Sequence, residues 1–480
     1  MDEMIRRLRL AFRTLARAPL FTGIAVATLA VGIGANAVIF SVVDGVLLRP
    51  LPYERPDELV SLWHEAPGIG MGQPQVEQSQ ATYLTYRTEN RVFQDLGLWD
   101  DFQTSVTGAG EPERVPAVMV TDGTLPLLGA RAQVGRSFGP ADDDYGAPPT
   151  VLLGHGYWQR RFGGDRGVVG RSLQLNGQPH EIIGVLAPGF RILQHDFAVY
   201  VTARFDPAKV QLGNFSYQAI ARLRPGVTPD QARGELARLL PVAVERYPGP
   251  VSLEQLRQAG FAPVVRPLKT DLVGDVTTVL WVLLGTVGLV LLLACANVAN
   301  LFLVQAELRQ REVAVRTALG ASPGRIVGGF LTESVVLATL AGVVGLGLAQ
   351  GGLRLLLAIG PRSLPRLEEI AIDGRVLLFT LAVSVLAALM FGLFPALRYG
   401  RADLHTVLKE GGRGAGVGRE RHRARSVLVV TQVALALVLL IGSGLMVRSV
   451  RALRAVDPGF DRPGEVVSFR VYLPEAEVRE

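Results

Sequence analysis

Five long apolar runs organise this chain, near residues 20–46, 276–304, 328–352, 376–397 and 427–447. Each reaches the ~20 residues that a helix rising 1.5 Å per residue needs to cross a bilayer. None carries a carboxylate near its middle; Asp44, Asp275 and Glu333 fall towards the ends. Between the first two runs, residues 47–275 return to globular patterning. There "SLQLNGQPHEIIGV" (172–185) sets Asn176-Gly177 between two extended segments. That predicts a hairpin, because a type I′ turn needs positive φ at both central residues. "YQAIARLRPGVTPDQARGELARLL" (217–240) reads as strand, turn and helix, with Thr228 as N-cap and Pro229 at the first helical position. The domain is therefore expected to be mixed α/β, and its size suggests two subdomains.

Composition agrees with the pattern. Apolar residues make up 49% and charged residues 19% of 480, a balance of a membrane protein with a substantial soluble part. The net charge is +6. It is nearly all arginine set beside apolar runs, which points to membrane topology and away from nucleic acid. Arg6, Arg7, Arg9, Arg13 and Arg17 precede the first run; Arg309, Arg311, Arg316 and Arg325 separate the second and third; Arg419, Arg421, Arg423 and Arg425 precede the fifth. Counting these as cytoplasmic puts the N-terminus inside and residues 47–275 outside. Arg448, Arg451 and Arg454 dissent and are outweighed. The first run continues past "ANA" (35–37) through "VIFSVVDGVLL", too long for a signal h-region, and reads as a retained span. Ahead of it, Ile5, Leu8, Phe12 and Leu15 share one helical face, either as an interfacial helix or as a basic flank that happens to be helical.

Candidate chemistry is sparse. The single cysteine, Cys295, lies in an apolar run, so no intrachain disulfide forms. His64, His155, His180 and His195 lack metal-ligand spacing, and "GHGYW" (154–158) reads as a packed turn. Asp142, Asp143 and Asp144 read as a solvated acidic turn in preference to a cation site. A P-loop needs Gly before its lysine; Lys209, Lys269 and Lys409 follow Ala208, Leu268 and Leu408, so these residues hold no such ATPase motif. Proton- or sodium-driven transport is disfavoured by the absence of ionisable residues at mid-span.

Residues 305–334, "QAELRQREVAVRTALGASPGRIVGGFLTES", are the most informative. Glu312 and Arg316 stand i, i+4 in the favourable order for a helix leaving the second span. Gly320 suits its stop, and Ser322-Pro323 a new cap and first turn. The result is a charged elbow, either a contact surface or a topology anchor.

With its flanks, "LLLACANVANLFLVQAELRQREVAVRTALGASPGRIVGGFLTES" (291–334) resembles the second span and coupling loop of FtsX-like ABC permeases of the MacB type. "PLFTGIAVATLAVGIGANAVIFSVVDGVLLRPLPY" (19–53) resembles the opening of their duplicated, acidobacterial-type orphan members. "VGRSLQLNGQPHEIIGVLAPGF" (169–190) is similar to a segment of the MacB-like periplasmic core domain. The resemblance implies a four-span α-helical unit carrying a mixed α/β periplasmic domain of MacB-core type. Its bounds would be an N-terminal cytoplasmic helix (1–19), first span (20–46), periplasmic domain (47–275), second span (276–304), elbow (305–327), third span (328–352), outer loop (353–375), fourth span (376–397) and cytoplasmic linker (398–426). It further implies an inner-membrane permease served in trans by an ABC ATPase that binds the ATP, and a role in export or efflux by mechanotransmission. By motif match, coupling falls to Arg311, Glu312, Arg316, Gly320, Ala321, Ser322, Pro323 and Arg325. A periplasmic adaptor or cell-envelope protein would be a further partner, and a membrane-anchored scaffold without transport is the alternative reading.

One phrase occurs twice. "YERPDELVSL" (53–62) and "FDRPGEVVSF" (460–469) align without a gap, with Arg55/Arg462, Pro56/Pro463, Glu58/Glu465, Val60/Val467 and Ser61/Ser468 identical. The fifth run (427–447) thus reads as the first span of a second permease half, residues 448–480 as the start of its outer domain, and the chain as part of a longer duplicated protein.

Overall fold

A computed structural model describes residues 2–69, 75–108, 110–274, 276–309, 315, 322–359, 370–400 and 417–454. The chain opens with helix α1 (Asp2–Ala16) and, after a two-residue corner, α2 (Pro19–Val43), whose last turns widen into a π-helix at Asp44–Leu48. It then builds strands β1 (Leu59–Glu65), β2 (Phe93–Thr107), β3 (Glu113–Val120), β4 (Ala132–Gly135), β5 (Thr150–Leu153), β6 (Ser172–Leu175), β7 (Gln178–Leu186), β8 (Val199–Thr202), β9 (Gln218–Leu223) and β10 (Ala262–Pro267). Helices α3 (Gln80–Glu89), α4 (His155–Phe162), α5 (Pro229–Arg246) and α6 (Leu253–Gln258) punctuate them. Four long helices follow: α7 (Val276–Leu308), α8 (Pro323–Ile359), α9 (Gly374–Gly400) and α10 (Val417–Arg454). The chain divides into two compact units, one holding α1, α2 and α7–α10, the other residues Pro50–Gly274.

Among the described residues of the helical unit, five helices are long and apolar enough to cross a membrane: Pro19–Leu48, Val276–Leu308, Gly324–Ala358, Gly374–Leu393 and Val429–Ser449. Helix α2 packs against α7 and α8, and α8 against α9. Apolar side chains gain little by leaving lipid for one another, so such bundles rely on close backbone approach and interhelical hydrogen bonds. Both occur. A Cβ on Gly34 of α2 would stand 2.8 Å from the carbonyl oxygen of Gly345, and one on Gly345 would stand 2.9 Å from that of Ala30. The buried Asn36 amide donates to the Val287 carbonyl of α7 at 2.8 Å and to Gly32 within its own helix at 2.9 Å. Phe302 sits between Phe21 and Phe391, its ring centroid 5.3 and 5.5 Å from theirs.

The second unit is built on one continuous sheet of ten strands, ordered β10-β1-β9-β2-β3-β8-β5-β7-β4, with β6 bridging β2 and β7. This corrects the two subdomains expected from size. The sheet is mixed: β3–β8 and β5–β7 are parallel and the remaining pairs antiparallel. The expected hairpin forms between β6 and β7, with Asn176 at φ 49° and Gly177 at φ 79°. Thr228 caps α5 through Gln231 N–H, and Pro229 is its first residue. Around Trp99, Tyr200, Leu152 and Ile220 the buried side chains form the largest apolar cluster of this unit.

The first copy of the repeated phrase is the entrance to this sheet. Arg55 takes φ 47°, Pro56–Glu58 makes a 3-10 turn, and Leu59 begins β1. The buried Arg222 of β9 holds that turn, donating to the Arg55 carbonyl at 3.1 Å and approaching Glu58 at 3.6 Å. Val60 is buried, and the Ser61 hydroxyl donates to Arg266 of β10 at 3.4 Å. The second copy, 460–469, lies outside the described residues.

Two smaller expectations are corrected. "GHGYW" opens helix α4 and buries Tyr157 and Trp158, because their rings join the apolar cluster of Val151 and Leu153 on β5. Asp144 is exposed as expected, but Asp142 is buried and Asp143 half-buried. Asp142 pairs bidentately with Arg136 at 2.6 and 2.8 Å, while Asp143 accepts the N–H groups of Arg204 (2.9 Å) and Asp122 (3.1 Å). Among the described residues no three His, Cys, Asp or Glu side chains group as a metal site.

Candidate functional site

The elbow begins where α7 stops. The Arg309 N–H closes a last turn onto Ala306, and its guanidinium reaches Glu333 of α8 at 3.1 and 3.2 Å. Beneath that ion pair, the buried Ala306 and Phe330 pack with Ile326, Val327 and Leu331. The two roots of the elbow are therefore tied by one charge pair and one apolar contact. On the far root, the Ser322 carbonyl accepts the N–H of Arg325 at 2.9 Å, and Pro323 starts α8. Ser322 and Arg325 are exposed. Arg311, Glu312, Arg316, Gly320 and Ala321 lie outside the described residues. Arg309 and Glu333 do not stand out as a pair in the sequence. The signal for them was a lone carboxylate at the edge of an apolar run, opposite the first arginine after the preceding one.

A second charged constellation marks the other end of the helices. At the π-helical end of α2, Asp44 is 1% exposed. Its carboxylate accepts from Arg49 Nε at 3.0 Å and lies 3.5 Å from Arg375 of α9. Arg49 also bonds Asp373, the residue before α9. Asp373 in turn accepts the N–H groups of Arg375 and Val376 at 3.0 and 3.1 Å, capping that helix. The four side chains form a clasp between the end of the first span and the start of the fourth. Burial works against the charge on Arg49, but hydrogen bonding to Asp44 and the fields of Asp373 and Asp44 outweigh it and hold its pKa above the usual value. The Asp373 carboxyl is held below its ordinary range, first by the Val376 N–H and, against some desolvation, by Arg49. A π-turn inside an α-helix often marks a functional position, and here the wider turn carries the clasp.

The clasp carries a prediction. Replacing Arg49 with Gln leaves the buried Asp44 with Arg375 at 3.5 Å. The carboxylate loses its closer cation and keeps the longer contact, so the cost is about 1–2 kcal/mol, below the roughly 3 kcal/mol of a fully stranded buried charge. Asp44→Asn in the same background removes the weakly compensated charge and is expected to recover most of that loss. Unfolding midpoints of the single and double variants in detergent measure it, and additive losses would refute the pairing.

Comparison with known proteins adds the family. Residues 22–239 match the model of the MacB-like periplasmic core domain, and residues 284–404 that of the FtsX-like permease C-terminal region. The chain is 28% identical over 286 residues to the uncharacterized ABC transporter permease YknZ of Bacillus subtilis, covering 59% of this chain and 67% of that protein. It is also 28% identical over 273 residues to the macrolide export ATP-binding/permease protein MacB of Rhodospirillum rubrum, covering 56% of this chain and 39% of that protein. Among solved structures, the periplasmic region of MacB from Actinobacillus actinomycetemcomitans aligns at 10% identity with a TM-score of 0.33, covering 47% of this chain and 91% of that one. The chain thus spans about two-fifths of the fused export proteins and two-thirds of YknZ. With a periplasmic-core match running from the first span into the sheet domain and an FtsX match over the spans that follow, this chain carries both domains that characterise the MacB/FtsX-type ABC transporter permeases.

Proposed function

We propose that the protein is the membrane subunit of an export-type ABC transporter, transmitting ATP-driven motion from a separate cytoplasmic ATPase to its sheet domain. The observation that carries this reading is the order of the two family matches, with the core domain inserted between first and second spans and the FtsX region following. The arginine distribution supports a cytoplasmic N-terminus and a periplasmic sheet domain. On this reading Arg311, Glu312, Arg316, Gly320, Ala321, Ser322, Pro323 and Arg325 form the coupling elbow. The Arg309–Glu333 pair and the apolar contact below it make the elbow move with α7 and α8 as one piece. The clasp of Asp44, Arg49, Asp373 and Arg375 then holds the span that leads into the sheet domain to the fourth span. The repeated phrase supports a second permease half beginning at the fifth span, so that two halves lie in one polypeptide.

The test is co-purification. The tagged protein, extracted in mild detergent from its native host, is expected to retain an ABC ATPase identifiable by mass spectrometry. Arg316→Glu is expected to lower its recovery at least tenfold, since the variant reverses a charge at the proposed contact. Equal recovery with the variant would remove Arg316 from the coupling surface. Absence of any ATPase, where a known permease keeps its own, would replace transport by a membrane-anchored scaffold whose sheet domain binds a cell-envelope partner.

A further inference from the structure

Helix α1 shows three strips. At about 100° per residue, and counting from Ala11, Leu15 lies at about 40°. Leu8, Phe12 and Ile5 follow at about 60°, 100° and 120°, and Arg9, Arg13 and Arg6 at about 160°, 200° and 220°. The structure buries the first strip and leaves the other two exposed. Ala11 and Leu15 are 3% exposed and belong to the same buried cluster as Val336 and Leu337 of α8. Ile5, Leu8 and Phe12 are exposed, as are Arg6, Arg9 and Arg13. Leu10 breaks the order, falling among the arginines. The corner to α2 is tight: the Ala18 N–H and the Thr22 hydroxyl both donate to the Leu15 carbonyl, at 3.2 and 2.8 Å. α1 is thus fixed to the spans by one strip, with a large apolar strip beside it and a cationic strip beyond.

We infer that α1 is a lipid-binding helix whose arginine strip takes anionic phospholipid headgroups while Ile5, Leu8 and Phe12 enter the acyl region beside the third span. Charge complementarity identifies the occupant. Residues 1–17 carry five arginines against Asp2 and Glu3, and an exposed apolar strip flanked by guanidinium groups fits an anionic bilayer surface. A protein groove would cover the apolar strip and leave the arginines without a role. The docked strip distinguishes this helix from a free amphipathic anchor: headgroups that hold α1 also hold α8, against which it packs. The inference rests on the membrane-spanning helices and not on the presence of an ATPase.

The full chain is reconstituted in nanodiscs of phosphatidylcholine alone or with one-third phosphatidylglycerol, and amide exchange is followed over residues 5–16. Anionic lipid is expected to slow exchange at least tenfold, given roughly fivefold in affinity for each arginine at a charged surface. R6Q/R9Q/R13Q is expected to lose the difference and R6K/R9K/R13K to keep it. Should the glutamine variant fail to insert, the wild-type difference is expected to collapse in 0.5 M salt, which shortens the Debye length to about 4–5 Å. Equal exchange in the two lipids would overturn the proposal. So would a lipid effect that survives the glutamine variant or high salt, or protection that arises only on adding a nucleotide-binding subunit.

Discussion

Between pH 7 and pH 5 the sheet domain is expected to lose about 2 kcal/mol of stability through His64 alone. His64 on β1 is 0% exposed. Its ring stacks on Phe261 at 4.4 Å and meets Phe215 edge-on at 6.1 Å. Nε2 lies 3.2 Å from the Tyr86 hydroxyl and Nδ1 3.3 Å from the Glu77 carbonyl. Burial lowers its pKa to about 4, against partial help from the Glu77 carbonyl. The unfolded chain protonates this ring near pH 6.5 and the folded chain does not. Its full contribution is present above pH 6.5, declines by about 1.4 kcal/mol per pH unit below that, and is gone near pH 4. Glu77 pulls the other way. Its carboxyl is held above the ordinary range by burial and by Asp100 and Asp101, so acidification relieves it. Chemical denaturation at pH 7, 6 and 5, followed by hydrogen exchange in β1 and α3, measures the net slope. His64→Gln is expected to flatten it; an unchanged slope would assign the acid lability elsewhere.

Arg87→Met is expected to cost about 3 kcal/mol at pH 7, the low end of a broken buried pair because Arg87 remains one-third exposed. Arg87 of α3 grips Asp122 bidentately, at 2.5 and 2.9 Å, and donates to the Tyr83 hydroxyl at 2.6 Å. Asp95 and Asp143 stand in the same neighbourhood. Burial raises the pKa of both and Asp122 adds to it, whereas Arg87 opposes the rise. Without the guanidinium, three poorly solvated carboxylates face one another. Asp95 and Asp143, already raised by burial, lose the charge that opposed the rise and are expected to take up protons more readily in the folded state. The deficit of the variant should therefore shrink on going from pH 7 to pH 5, opposite in sign to the His64 effect. Arg87→Lys is expected to recover only part, since an ammonium cannot reproduce the two-pronged contact. A deficit that widens with acid would sink this account.

Both predictions involve contacts that the sequence did not disclose. His64 reads as one of several scattered histidines, and its burial follows from β1 lying between β9 and β10, strands that close the domain from its far end. Arg87 and Asp122 are 35 residues apart, with β2 and β3 between them. The same distance hides the clasp, since Arg49 and Asp373 are separated by 324 residues. Of the signals expected for the elbow, the Ser322-Pro323 start falls on described residues, and Pro323 does open α8; it could be read because it is local. Its bracing pair escaped notice because Arg309 and Glu333 sit on different helices that meet only after the chain has turned.

The sequence by itself determined the membrane-spanning helices, the mixed α/β character of the inserted domain, the β6–β7 hairpin, the α5 cap and the family. Each of these depends on run length, periodicity or residues within a few positions of one another, where the backbone leaves few choices. The tertiary structure decided that the domain is one ten-stranded sheet, that Asp142 and Asp143 are bound within it, and which charges meet at the two ends of the spans. Strand order and interhelical pairing are set by which apolar faces bury best together across the whole chain, and a buried charge is tolerated wherever that packing happens to bring its counterion.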